Sequence, residues 1–194
     1  MISVTDILQN GGILLYPTDT LYGLGVDALN LEALKKLREL KGREEKKAIS
    51  VIVADLDMAR EYAEVTPLAE KLAEKFLPGK LTLVLKAKDS LPDELTAGTG
   101  TVGIRIPNHL ICLKLARELG HPFTATSANV SDEKPKNAVP DILAQFGERA
   151  SMIAKIIDTG ELVESPPSTV VDARGAKPLI VREGAIPREK IEAA

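Results

Sequence analysis

Residues 11–25 read GGILLYPTDTLYGLG, and this stretch sets the first expectation for the fold. Its apolar run, residues 13–16, predicts a buried core strand. Pro17 ends that strand, because proline has no N–H to donate to a sheet. Two hydroxyls and a carboxylate follow at the carboxyl end of the strand, where open α/β sheets bind ligands. The same residues also suit an ordinary turn, so this stretch leaves both a turn and a ligand site open.

The rest of the chain alternates between strand and helix patterns, which predicts a mixed α/β fold in a single domain over residues 1–194. Asn30 and Gly42 are suited to begin and end the first long helix, and Thr66-Pro67 to begin the second. Further helical patterns cover 108–119 and 140–146. Strand-like patterns cover 48–55, 81–87, 102–107, 122–127, 152–158, 168–173 and 179–183.

The composition is that of an ordinary soluble protein, and it excludes several classes. Of 194 residues, 44% are hydrophobic and 27% charged, with a net charge of −3, so any basic site must be local. The single cysteine, Cys112, rules out an internal disulfide and favours a buried, inert thiol. No apolar run approaches the roughly 20 residues that span a bilayer, and the N-terminus lacks the basic start of a signal peptide. We therefore expect a cytoplasmic protein.

The glycines at 98, 100 and 103 match G-x-G-x-x-G, the spacing of a dinucleotide-binding loop. That loop needs a helix directly after it, whereas IRIP, a strand pattern ending in proline, follows here. The motif is therefore not interpreted as a nucleotide site. Neither His109 nor His121 has a neighbouring acid in sequence that suggests a relay, so both are expected to be structural or exposed.

Basic residues concentrate in KKLRELKGREEKK, residues 35–47. A charge run of this kind is often only a solvated helix face. However, Lys41, Arg43 and Lys47 follow Leu40, where the apolar helical pattern stops. They are therefore expected to form a flexible cationic loop that suits phosphate, with arginine as a fork and lysine as a point charge.

Two further arginines, Arg105 and Arg182, stand inside otherwise apolar strand patterns. Each could point outward from a strand edge or be held for a ligand. The segment TATSANVS, residues 124–131, replaces bulky side chains with hydroxyls and an amide at a strand end. Together these features predict an α/β protein that binds a polyanion in a cleft lined by hydroxyls and arginines.

Seven stretches resemble, in family order, the YrdC-like threonylcarbamoyl-AMP synthase family in its short, single-domain form. They are YPTDTLYGLG, KGR, LPGKLTLVL, TVGIRIP, TATSANVS, PSTVVD and VREGAI, and they span nearly the whole chain. The resemblance implies an open, strongly twisted mixed sheet with flanking helices and a concave basic surface. It also implies a nucleotidyltransferase that makes threonylcarbamoyl-AMP and pyrophosphate from L-threonine, bicarbonate and ATP, for threonylcarbamoyladenosine modification of tRNA.

The resemblance also assigns residues. The K-x-R and S-x-N pairs implied to be catalytic are Lys41, Arg43, Ser127 and Asn129. The residues implied to meet ATP are Arg43, Lys47, Thr101, Ser127 and Arg182. Those implied to meet threonine are Thr20, Arg105, the backbone at Ala125, and Ser168. Mg²⁺ is expected with ATP, held by the triphosphate and water and not by a dedicated protein site.

The chain departs from the family pattern at four positions. Many relatives have proline at Glu44, asparagine at Lys47 and glycine at Asp132, and some have a serine at Pro135. Three alternatives therefore stay open. One is an RNA-binding module, although no Trp, three Tyr and three Phe leave few surfaces for base stacking. The others are a paralogous branch with different or weak activity, and a domain related to hydrogenase maturation.

The implied partners are the three substrates and a downstream tRNA threonylcarbamoyl transferase. A weak tRNA or double-stranded RNA contact through residues 35–47 is also expected, and no membrane contact.

Overall fold

A computed structural model describes residues 3–42, 44 and 46–194, along which helices and strands alternate. The strands are β1 (Ile13–Tyr16), β2 (Gly23–Gly25), β3 (Ser50–Ile52), β4 (Ala63–Glu64), β5 (Leu81–Ala87), β6 (Thr101–Arg105), β7 (Phe123–Ser127), β8 (Ile153–Ile156), β9 (Thr169–Asp172) and β10 (Leu179–Arg182). The helices are α1 (Val4–Gln9), α2 (Leu31–Lys41), α3 (Leu56–Tyr62), α4 (Pro67–Phe76), α5 (Asp93–Thr96), α6 (Leu110–Leu119), α7 (Val139–Phe146) and α8 (Arg188–Glu192), with a 3₁₀ turn over Gly147–Met152.

The strands form one open, mixed sheet in the order β10-β9-β5-β6-β3-β7-β2-β1-β8, with β4 beside β5. Three neighbouring pairs are parallel (β1 with β8, β3 with β6, β5 with β9), and the others are antiparallel. The expected α/β fold, an open mixed sheet with flanking helices, is confirmed. Because β8 and β9 lie near opposite ends of the sheet, the segment between them, residues 157–168, crosses from one end to the other.

Both faces of the sheet are buried at β1, which explains the continuous apolar run at 13–16. Ile13 and Leu15 pack into the larger core cluster, whereas Leu14 and Tyr16 pack into a second cluster under α1 and α6. Alternate residues of a strand point to opposite faces, so a strand covered on both sides must be apolar throughout. Cys112 lies in the second cluster, and burial raises the pKa of its thiol to about 12. The expectation of a buried thiol is confirmed, and its raised pKa disfavours the reactive thiolate.

The predicted caps of α2 are confirmed, but its last turn corrects one expectation. Asn30 accepts the N–H of Ala33, and Gly42 ends the helix at a φ of +60°. Lys41 is the final helical residue and its side chain is only 1% exposed. The proposal that Lys41 belongs to a flexible cationic loop is therefore wrong, because the helix continues one residue beyond the apolar pattern. Arg43 lies outside the described residues.

Tyr16 explains the last two glycines of the opening stretch, Gly23 and Gly25. Its ring lies across β2, where a Cβ on Gly23 would come within 2.8 Å of Cζ and one on Gly25 within 2.9 Å of Cε1. The hydroxyl donates to the carbonyl of Thr124, and the ring packs edge-on against Phe123 at 5.3 Å between centroids. The glycines thus make room for a buried tyrosine.

Two other expectations have definite outcomes. The glycine-rich stretch leads into β6 and not into a helix, as the sequence pattern indicates. His121 does have an acidic partner, although not a sequence neighbour. Its Nδ1 lies 3.3 Å from Oδ1 of Asp27, which is distant in sequence. In the described part of the chain, no helix has the length and apolarity needed to cross a membrane.

Candidate active site

A cleft of about 740 Å³ opens between the loop after β1, the loop after α2, the loop after β7, and the crossing segment before β9. It brings together nine of the residues that the sequence analysis selected: Thr20, Lys41, Lys47, Arg105, Ala125, Ser127, Asn129, Ser168 and Arg182. Thr101 is not brought to it: this residue begins β6 opposite Lys86, and its hydroxyl bonds to Thr99. Arg43, selected for the same site, lies outside the described residues.

The loop after β1 is both a turn and a wall of the cleft. Thr18 Oγ1 accepts the backbone N–H groups of Thr20 and Leu21 at 3.1 and 3.2 Å, which is how short hydroxyl side chains close turns. Thr18 and Thr20 also bond to each other through their hydroxyls at 3.1 Å. The two interpretations of this stretch are therefore compatible, because Thr18 shapes the turn that presents the residues after it.

Arg105, at the end of β6, is nearly buried, with 11% of its side chain exposed. Its Nη2 donates to Asp19 Oδ1 at 2.5 Å and to Thr20 Oγ1 at 2.7 Å. Its Nε is also buried and has no acceptor among the described residues. Buried guanidinium donors are normally satisfied, so the unpaired Nε is an exception that marks Arg105 as a candidate ligand-binding side chain. The alternative that Arg105 points outward from an edge is excluded.

Arg182 approaches the same part of the cleft from β10. Its Nη2 donates to the carbonyl of Ser168 at 2.7 Å, and Ser168 Oγ lies 2.8 Å from Thr82 Oγ1. Burial lowers the pKa of Arg182, and the positive charge of Arg105 lowers it further. Two arginines that disfavour each other's charge form a place where a carboxylate or phosphate is stabilised. Thr82 lies opposite Arg105 on the neighbouring strand β5. It was not among the predicted site residues, because a threonine within a strand pattern carries no sign of a binding role.

Lys41 holds the loop that carries the S-x-N motif. Its buried Nζ donates to the carbonyls of Ser127 and Asn129 at 2.5 and 2.7 Å, and its own carbonyl accepts the N–H of Ser131. Within the loop, the Ser127 hydroxyl bonds to Asn129 Oδ1. The Asn129 amide donates to the carbonyls of Val130 and Glu133. These bonds fix the position of the motif at the floor of the cleft.

Lys47 crosses the mouth of the cleft to meet Asp132. Its Nζ lies 3.2 and 3.1 Å from the two carboxylate oxygens. Asp132 has a φ of +66°, a left-handed conformation that favours glycine. Both residues are positions where the sequence departs from the resembled family, and the structure shows that the two departures touch. The sequence contained one signal for this contact. Lys47 introduces a cation and Asp132 introduces an acid at positions where many relatives have uncharged residues.

The cleft is basic overall although the chain is acidic. Its described lining carries five lysine and arginine side chains against the carboxylates of Asp132, Glu133 and Glu164. Among the described residues, no group of three or more His, Cys, Asp or Glu side chains could hold a metal ion. The arrangement can therefore bind an anion and neutralise developing negative charge.

Comparison with known proteins identifies the family. The model of the Sua5/YciO/YrdC family, described as telomere recombination, matches residues 6–184. The chain belongs to this family. It is 38% identical over 184 residues to a putative threonylcarbamoyl-AMP synthase of Methanocaldococcus jannaschii, covering 95% of this chain and 85% of that protein. It is 37% identical over 189 residues to the threonylcarbamoyl-AMP synthase of Bacillus subtilis, covering 96% and 54% respectively.

A solved member of the Sua5/YciO/YrdC family shares the same architecture. The crystal structure of Pyrococcus abyssi Sua5 complexed with L-threonine superposes with a TM-score of 0.90 at 35% identity. The match covers 97% of this chain and 55% of that one. The chain thus spans about half the length of the Bacillus and Pyrococcus relatives, and most of the Methanocaldococcus one.

Proposed function

We propose that this chain is an L-threonylcarbamoyladenylate synthase, a nucleotidyltransferase that forms threonylcarbamoyl-AMP and pyrophosphate from L-threonine, bicarbonate and ATP. The observation that carries the proposal is the meeting of nine selected residues, from separate parts of the sequence, in one basic cleft. The relatives named threonylcarbamoyl-AMP synthase support it. The product would serve the threonylcarbamoyladenosine modification of tRNA.

The threonine is proposed to lie at the arginine end of the cleft. Arg105 has a buried Nε without an acceptor among the described residues, which suits a carboxylate oxygen. Arg182 lies on the other side of the Thr82–Ser168 hydroxyl pair and adds a second positive charge. Ser168 and the backbone at Ala125 would contact the rest of the amino acid. The L-threonine bound to the Pyrococcus protein supports this class of ligand.

The ATP is proposed to lie along the loops after α2 and β7. Lys47 and Ser127 would meet the phosphates, together with Arg182 and with Arg43, whose role comes from the resemblance alone. Lys41 would act mainly by holding the Ser127–Asn129 backbone, since its Nζ is already bonded to two carbonyls of that loop. Thr101 lies outside the cleft lining, so the proposal does not include it.

Magnesium is proposed to accompany ATP. The cleft carboxylates Asp132, Glu133 and Glu164 do not form a metal-binding cluster with other described residues, so phosphate oxygens and water would supply most ligands. The bound ion would offset phosphate charge. The residues of the chain would bind and orient the substrates, and they would exclude water from the cleft.

In the proposed reaction, the threonine amine and carbon dioxide from bicarbonate form a carbamate, with loss of a proton. A carbamate oxygen bonds to the α-phosphorus as the bond to the β-phosphate oxygen breaks, and pyrophosphate leaves with that electron pair. Such transfers depend on positioning and charge stabilisation and need no covalent protein intermediate. A rigid cleft with fixed donors suits that requirement.

The proposal is tested by incubating purified protein with ATP, threonine and bicarbonate and measuring pyrophosphate and the adenylate. We expect release that requires both threonine and bicarbonate, together with a product of the mass of threonylcarbamoyl-AMP. Omitting each substrate in turn is the control. Release of pyrophosphate independent of threonine would instead indicate a paralogous branch with another acceptor.

A further inference from the structure

The carboxylate of Asp19 is held on two sides by separate segments of the chain. Its Oδ1 accepts from Arg105 Nη2 at 2.5 Å, and its Oδ2 accepts the backbone N–H of Asn108 at 3.0 Å. Only 9% of the side chain is exposed. Because each oxygen is bonded to a donor that the fold fixes, the carboxylate cannot rotate without losing one of these bonds. Asp19 is therefore a rigid acceptor beside the cleft.

This rigid acceptor sets the direction of the Arg105 guanidinium. The five N–H donors of a guanidinium lie in one plane, so fixing one edge orients the rest. The edge at Nη2 is fixed by Asp19 and by Thr20. The buried Nε then keeps a donor for which the described residues supply no acceptor. An oxygen atom of a ligand in the cleft would accept the hydrogen bond from this Nε.

Asp19 also sets the charge at this end of the cleft. Arg105 and Arg182 would otherwise place two positive charges on either side of the Thr82–Ser168 pair. Arg105 is nearly buried, and a buried charge without a counter-ion is strongly disfavoured, whereas Arg182 lies on an exposed part of β10. The carboxylate of Asp19 balances one of the two charges, so these three side chains together keep one positive charge. That remaining positive charge, on Arg182, suits an anionic group of a substrate in the cleft.

We propose that Asp19 is a positioning residue, which orients Arg105 for the carboxylate of the amino-acid substrate without contacting that substrate itself. The inference rests on the proposed function and deepens it, because it names the group that prepares the threonine subsite. It also assigns Thr20 mainly to the same task, since the Thr20 hydroxyl is bonded to Arg105 and to Thr18.

The test is a double-mutant cycle with Asp19→Asn and Arg105→Ala, read as kcat/KM for threonine and, separately, as KM for ATP. For Asp19→Asn alone, we expect the threonine KM to rise about tenfold, with less than a twofold change for ATP, because a charge-assisted bond that orients the substrate ligand is lost. In the Arg105→Ala background, we expect Asp19→Asn to be neutral or to improve kcat/KM. There the carboxylate has lost its partner and repels the substrate.

The matched control is Asp172→Asn, which removes a carboxylate paired with Arg174 at 2.6 Å outside the cleft lining. We expect it to leave both KM values unchanged. Thermal unfolding of each variant checks folding, and Asp19→Glu, which keeps the charge but displaces it, replaces Asp19→Asn if that variant does not fold. A raised threonine KM is expected for Asp19→Glu as well.

Losses that add in the double variant would overturn the proposal, because Asp19 would then act on the substrate directly or through the fold. So would an equal effect of Asp172→Asn. Calorimetric titration of wild-type protein with threonine separates the two levels of inference. Wild-type protein that binds no threonine, with or without ATP, would overturn the proposed function and the ligand assigned to Arg105. Binding together with additive losses would overturn only the role of Asp19.

Discussion

At the scale of single residues, the opening stretch combines tasks that its sequence does not separate. Pro17 ends a strand, Thr18 closes a turn, and Asp19 and Thr20 hold an arginine from a strand about 85 residues later. Gly23 serves a different purpose, since it lies against the ring of Tyr16. Each role depends on a partner that is distant in sequence, which is why local patterns leave several interpretations open.

Gly23→Ala should destabilise the fold although alanine suits a strand. The new Cβ would lie 2.8 Å from Tyr16 Cζ and 2.9 Å from its hydroxyl oxygen, closer than real contacts allow. Tyr16 cannot move away easily, because it is fully buried and bonded to Thr124. Overpacking of this kind typically costs about 1–3 kcal/mol. Urea unfolding measures the loss.

Gly175→Ala is the matched control, because its Cβ would meet nothing nearer than 4.0 Å. Its free energy of unfolding should stay unchanged or rise by up to about 1 kcal/mol, through reduced freedom of the unfolded chain. If Gly23→Ala were as stable as this control, Tyr16 would not pack across β2 as described.

At the scale of elements, the two loops that form the cleft mouth are joined by Lys47 and Asp132. The pair is partly exposed, with 39% and 82% of the two side chains accessible, and such pairs contribute about 0–1 kcal/mol. If the triphosphate lies at Lys47, as proposed, it must compete with Asp132 for that ammonium group. Asp132 therefore weakens nucleotide binding by a modest amount.

Asp132→Asn should lower the KM for ATP about two- to fivefold and leave the threonine KM unchanged. Asparagine tolerates the left-handed backbone at this position, so the substitution removes the charge without adding strain. The difference should shrink as salt rises, because exposed charges are screened. Steady-state kinetics at two ionic strengths measures both effects.

Glu133→Gln provides the comparison, since Glu133 also lines the cleft but is not among the ion pairs of Lys47 in the described structure. An equal fall in the KM for ATP in both variants would mean that the overall electrostatic potential of the cleft, and not the Lys47–Asp132 pair, determines nucleotide affinity. A raised KM for Asp132→Asn would mean that the carboxylate assists nucleotide binding.

Eight of the ten described strands and four of the eight described helices were predicted, because their signals are local, whereas β2, β4, α1, α3, α5 and α8 were not. Asn30, Thr66 and Pro67 stand where the α2 and α4 caps form, and the apolar run at 13–16 is β1. Contacts between segments that are far apart in the sequence leave no local signal, so Asp19, Thr82 and Asp132 were not predicted as site residues. Lys41 shows the same limit: its sequence neighbours indicate a loop, whereas its partners are carbonyls about 87 residues away.

At the scale of the whole molecule, the chain has a net charge of −3, so contact with RNA would need a local basic surface. The stretch 35–47 was expected to contact RNA, but the structure reduces that surface. Arg38 and Lys41 are buried and bonded to carbonyls, whereas Lys35, Lys36 and Lys46 are exposed. The described part of this stretch therefore offers three exposed lysines to phosphates, besides Lys47, which is partly exposed and paired with Asp132.

Binding to tRNA or double-stranded RNA should accordingly be weak and only moderately salt-dependent. Each neutralised phosphate contributes about −0.7 to −0.9 to the slope of log K against log salt, so three contacts give a slope of about −2 to −3. Fluorescence anisotropy between 50 and 300 mM salt, roughly the range over which such slopes are resolved, measures it.

Replacing Lys35, Lys36 and Lys46 with glutamine should remove most of the slope. The same change at Lys71 on α4, Lys114 on α6 and Lys177 in the loop between β9 and β10 should preserve it. A slope near −6 or steeper, or affinity that depends on RNA sequence, would contradict this expectation and favour an RNA-binding module. That result would require a surface larger than these three lysines, because counterion release scales with the number of phosphates contacted.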